Sequence, residues 1–227
     1  MHRCIIFLVS LVASGGAAAD IAAFVNVNVI PMSEERIIEQ QTVIVSDGII
    51  GIIGDVDEVP VPEAARVIDG TDRFLIPGLA EMHAHVPPVG SGELERDFAL
   101  FVANGVTTVR GMLGHPSHLE LRTALLDGET LGPRLITSGP SLNGRSVSGA
   151  ADGARQVREQ HAAGYDFIKI HPGLDDDEFA AIAAAANELG MPFAGHVPVA
   201  VGLESALESG MASIDHLDGY MAALMPP

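Results

Sequence analysis

Basic residues are scarce in this chain: 12 lysines and arginines stand against 30 aspartates and glutamates, a net charge of −18. Nucleic-acid phosphates need a positive face, so the charge balance argues against a DNA or RNA partner. It suits a soluble protein that resists aggregation. Cysteine is nearly absent as well, with Cys4 standing alone. No apolar run reaches the roughly 20 residues that a bilayer span requires. The apolar stretch from Cys4 to Val12 follows Arg3 and precedes Ala17-Ala18-Ala19. That order of basic, apolar and small residues is the anatomy of a secretory signal peptide. The expectation is a signal peptide over 1–19, cleaved before Asp20. The mature protein would then be exported, periplasmic or secreted, with no membrane anchor and no cysteine. Nothing in the pattern excludes an oligomer.

Apolar residues make up 48% of the chain, enough for a substantial core. From Ala22 to Asp72 the pattern is that of short strands. Val25, Val27 and Val29 alternate with Asn26 and Asn28, a period of two. Two apolar runs flank Ser46-Asp47-Gly48, and an Asp-Gly in that setting predicts a hairpin. Residues 20–76 are therefore expected to form a small β module, part of a β-sandwich.

Beyond Gly78 strands and helices alternate. Strand-like segments centre near His83, Thr108, Ile136, Lys169, His196 and His216. Their intervals approximate the roughly 31 residues per unit of a ~250-residue eight-unit barrel. The clearest helix spans Asp175 to Leu189. Phe179, Ile182, Ala183, Ala186 and Leu189 form one apolar stripe, acidic residues fill the first turn, and Gly190 follows. The expected fold class is α/β: an incomplete TIM-like (β/α)8 barrel over 77–227, with about six of eight units. A closed barrel would need about two more units, so a fragment of a longer protein is favoured over an open six-stranded sheet.

The chemistry sits at the strand ends. His83 and His85, at spacing two, share one face of a strand and can grip one metal ion. Lys169, His196 and His216 each end another strand, where functional side chains of parallel barrels gather. An isolated lysine in such a place usually snorkels to solvent. Beside four strand-end histidines it reads instead as a ligand: desolvation lowers its pKa, and a neutral amine can take up carbon dioxide to become a carbamate. His171 shares the face of Lys169 and is either a substrate group or an ordinary loop histidine. Asn143, in the Ser- and Gly-rich stretch 138–149, is a candidate substrate contact with Gly144 and Arg145. Tyr220 is another, with packing an equal alternative. His115, His118 and His161 read as surface residues.

The Pro77-Gly78-Leu79 to His83-Ala84-His85 run, the Gly105-Val106-Thr107-Thr108-Val109-Arg110 run, Gly195-His196-Val197-Pro198 and Ser213-Ile214-Asp215-His216 together resemble the strand signatures of the amidohydrolase superfamily. The likeness is nearest to its imidazolonepropionase-like and prolidase-type branch. The resemblance implies a binuclear hydrolase of amide bonds acting on a small amide or dipeptide. In that scheme His83 and His85 hold a buried ion, His196 and His216 hold a more exposed one, and carbamylated Lys169 bridges them. Zinc is the implied metal, with manganese or iron as alternatives. The family's proton-moving aspartate ends strand 8, which would lie beyond Pro227. Gly111 stands where the family pattern has a polar residue. A mononuclear deaminase or cyclic amidase, and a non-catalytic truncated fragment, are the alternative readings.

Overall fold

The computed structural model describes residues 20–225. The expected signal peptide lies outside the described residues. The chain divides between Pro77 and Gly78 into two compact units.

The first unit is one five-stranded sheet. It comprises β1 (Ile21–Val29), β2 (Ile38–Ser46), β3 (Ile49–Asp55), β4 (Arg66–Asp69) and β5 (Phe74–Leu75). The path runs β3-β2-β1-β4, with β5 also pairing β1. The β2–β3 hairpin turns at Asp47 and Gly48, both at positive φ. That is the backbone the Asp-Gly signal called for. Ala23, Val27, Val29, Val43 and Ile44 are buried. Only one layer of the expected sandwich is present among the described residues, and β3 leaves Ile49, Ile50, Ile52 and Ile53 exposed.

The second unit alternates strand and helix. Its strands are β6 (Leu79–Ala84), β7 (Val106–Gly111), β8 (Arg134–Thr137), β9 (Ile168–Ile170), β10 (Phe193–Gly195) and β11 (Ser213–Ile214). Its helices are α1 (Leu94–Ala103), α2 (His118–Leu126), α3 (Ala150–Ala163), α4 (Asp176–Leu189), α5 (Gly202–Glu208) and α6 (Tyr220–Leu224). All pairings are parallel, in two runs, β6-β7-β8 and β9-β10-β11. Parallel bridges Ser138–Phe167 and Leu142–Ile170 join them. The six expected strands are thus present in sequence order, the arrangement of a partial (β/α)8 barrel.

Helix α4 shows why the sequence folds this way locally. The Asp175 side chain accepts a hydrogen bond from the Glu178 amide, and Glu178 reaches back to the Asp175 amide, a reciprocal cap. Such a cap contributes about 1 kcal/mol. Gly190 ends the helix in the left-handed conformation. The stripe Phe179, Ile182, Ala183 and Ala186 packs with Ile168, Ile170 and Phe193 into the larger core. A second core joins Leu94, Phe98, Val109, Leu121 and Leu135.

One expectation is corrected. His118 is fully buried, not on the surface. Its Nδ1 accepts the His115 amide at 3.2 Å, and its Nε2 lies 3.3 Å from the Pro87 carbonyl. Burial holds its pKa below the ordinary histidine value. The neutral ring therefore staples α2 to the loop after β6. Helical spacing alone did not reveal the loop that covers it. His115 and His161 are exposed, as expected.

Candidate metal centre

The strand ends bring the imidazoles into one arc. Ring centroids lie 5.4 Å apart for His85 and His83, 4.8 Å for His83 and His216, 5.1 Å for His216 and His196, and 5.1 Å for His196 and His171. The four histidines expected as ligands are therefore contiguous, and His171 extends the row. His83 and His85 share a face because strand side chains alternate with period two.

Lys169 lies at the middle of β9 and is 0% exposed. It is the only lysine in the chain. Its Nζ donates to Asp215 Oδ2. Burial pushes its pKa below the ordinary lysine value, against the pull of that carboxylate. For Asp215, burial opposes ionisation. The hydrogen bond and charge of Lys169, with His83 and Arg110 nearby, nevertheless hold its pKa below the usual carboxylate range. Burial, reinforced by the charge of Lys169 and by His196 and His85, takes His171 down to about 4. Burial also lowers His83. A neutral imidazole keeps a lone pair for a metal or a proton.

Three residues not singled out from the sequence join the centre. Asp215 is 6% exposed and its Oδ2 lies 3.5 Å from His83 Nδ1. Asp218 Oδ2 lies 2.8 Å from His196 Nδ1. Arg110, on β7, donates from Nε to the Met82 carbonyl at 2.7 Å and from an Nη to Ser213 Oγ at 2.9 Å. Its other Nη is 3.9 Å from Asp215 Oδ1. Arg110 thus ties the ends of β6 and β11 to one carboxylate. A charged residue within an apolar strand was the signal for Lys169, and the same signal was available for Arg110.

Asp218 fixes the ring of His196: Nδ1–H donates to the carboxylate, which leaves the Nε2 lone pair free. Such partners orient metal-binding histidines, and losing one weakens metal affinity about 10–100-fold. Asp218→Ala is expected to weaken divalent-metal binding by that factor in competition with a chromophoric chelator. Unchanged affinity would detach Asp218 from the centre.

A cleft of about 720 Å³ is lined by His171, Pro172, Gly173 and residues 143–146. Asn143 faces it, but its side chain is committed to its own loop. Its Oδ1 accepts from the amides of Arg145 and Ser146, and its Nδ2 donates to the Ser141 carbonyl. The neighbouring Arg145 is exposed and has no ion-pair partner among the described residues. Tyr220 opens α6, half-buried and without a hydrogen bond among the described residues.

No protein-family model matches the sequence. An imidazolonepropionase of Idiomarina loihiensis is 34% identical over 77 residues, 33% of this chain and 18% of that protein. A solved protein of Bifidobacterium longum, described as a candidate prolidase, superposes with a TM-score of 0.74 at 22% identity. It covers 86% of this chain and 54% of its own. A bottromycin amidohydrolase superposes with a TM-score of 0.74 at 27% identity, covering 88% of this chain and 44% of its own. The chain thus spans about half the length of these solved structures. The fold is that of a partial (β/α)8 barrel shared with these solved proteins. The resemblance to the amidohydrolase superfamily read from the strand motifs holds.

Proposed function

We propose that this chain carries most of the metal centre of a hydrolase that cleaves an amide or other carbon–nitrogen bond in a small substrate. The observation that carries the reading is the sole lysine, fully buried, paired with Asp215 and close enough to His83 and His171 for its charge to act on them. A buried amine of lowered pKa is unprotonated for a larger fraction of the time. It can then add carbon dioxide, forming an N–C bond and releasing one proton to yield a carbamate.

His83 and His85 would hold one divalent ion and His196 and His216 a second, with the Lys169 carbamate between them. Imidazole with carboxylate suits zinc, manganese or iron, and zinc is the ion proposed. Bound metal supplies Lewis acidity toward a carbonyl and lowers the pKa of water toward neutrality. The chain's own residues orient the site. Asp218 sets the His196 tautomer, Arg110 holds Asp215, and His171, neutral above a pH of about 4, offers the cleft a ring that can accept or donate a hydrogen bond. The cleft suits a dipeptide or similarly small amide, and exposed Arg145 offers a cation to its carboxylate. The proposed compartment is the periplasm or the exterior.

The test is metal counting joined to turnover. In bicarbonate buffer the chain is expected to bind two zinc ions and to release the amine product from an aminoacyl-proline or related amide. One ion or none, with an unmodified Lys169, would count against the binuclear scheme.

A further inference from the structure

We infer that Asp215 is itself a metal ligand. With His83 and His216 it would form a mononuclear zinc site that the chain can use while Lys169 carries no carbamate. This goes beyond the binuclear scheme, which gives Asp215 no role toward metal.

The donor atoms of His83, Asp215 and His216 all lie within 4.8 Å of one another. His83 Nδ1 and Asp215 Oδ2 are 3.5 Å apart. Two ligands bonded at about 2.1 Å in a tetrahedron stand roughly 3.4 Å apart, so this edge already has the required length. Two imidazoles and one carboxylate, with a fourth position open, are a known zinc donor set.

The backbone supplies the independent observation. Neighbouring residues of an extended strand point to opposite faces. Asp215 directly precedes His216, so a continued strand would send only one of them toward His83. β11 instead ends at Ile214, and the chain turns with His216 at φ 55° and Leu217 at φ 59°. Both are non-glycine residues in the left-handed region, at a cost of about 1–3 kcal/mol each. The turn places the Asp215 carboxylate and the His216 ring together beside His83. The Asp215 carboxylate is also nearly fully buried, where an unpaired charge is costly. The Lys169 side chain pairs with it. A divalent cation at the same oxygens would replace that partner.

The experiment titrates zinc into the 227-residue chain in buffer freed of carbon dioxide, with a competing chelator, and repeats it in bicarbonate. Without carbon dioxide the expected result is one zinc ion per chain. Asp215→Asn should weaken it about 100-fold. Lys169→Met should bind zinc at least as tightly as the unsubstituted chain, because the competing ammonium is gone. Asp215→Asn also leaves that ammonium unpaired, so Lys169→Met is compared with the double variant Lys169→Met/Asp215→Asn. The same loss there assigns it to ligation. Equal affinities in those two variants would overturn the inference, as would absence of any zinc binding without carbon dioxide. The binuclear scheme is read separately, from whether bicarbonate adds a second equivalent.

Discussion

Lys169→Met is expected to cut bound zinc in bicarbonate buffer from two ions to one. It should lower kcat/KM toward an amide substrate on the order of a thousandfold, the scale on which loss of preorganised electrostatic stabilisation is felt. Methionine nearly matches the length of the lysine stem but cannot form a carbamate. Removing one partner of a buried ion pair commonly costs about 3–5 kcal/mol. Here the cost should be smaller, because Asp215 keeps His83 at 3.5 Å and Arg110 at 3.9 Å. The variant should therefore fold, and thermal melting checks that it does. Because Lys169 is the only lysine, a carbamate resonance from ¹³C-bicarbonate has one side-chain source. It should vanish in the variant. Full activity in a folded Lys169→Met protein would end the binuclear scheme.

Gly195→Ala should destabilise the barrel unit by roughly 3–4 kcal/mol. Gly195 ends β10 at φ 135°, a conformation closed to other residues. An added Cβ would stand 2.2 Å from the Ile170 carbonyl oxygen. That oxygen already accepts the His196 amide at 3.0 Å. The methyl group would have to separate β9 from β10 where they carry Lys169 and His196, so zinc affinity should fall along with stability. Gly190→Ala is the control. It is also left-handed, at φ 63°, but a Cβ there meets open space, and the cost should be only about 1–2 kcal/mol. Urea denaturation of both variants decides the matter. Equal losses would mean that the close approach of β9 and β10 is not what Gly195 provides.

Much of the architecture was legible in the chain because it rests on local periodicity. Alternation of period two gave the His83–His85 face and β1. The Asp47-Gly48 pair gave the hairpin. The stripe from Phe179 to Leu189, with its acidic start and glycine stop, gave α4 to within a residue. Each signal lies within a few neighbouring residues and expresses their own steric and hydrogen-bonding preferences. The strand motifs also carried the superfamily resemblance, and the fold of the solved relatives agrees with it.

What the sequence by itself determined was the order of elements and the set of strand-end groups: His83, His85, Lys169, His196 and His216. Tertiary structure alone decided how those groups are partnered. It put Asp215 against Lys169, Asp218 against His196 and Arg110 across from β7 to Ser213 on β11. It set His171 beside His196, buried His118 and tied Asn143 to its own loop. The physical reason is plainest at His216 and Leu217. Their left-handed backbone opposes the preference of the residues themselves, so no local pattern foretells it. Contacts from β6, β7 and β9, distant in sequence, compensate for that strain and turn Asp215 and His216 to the same side.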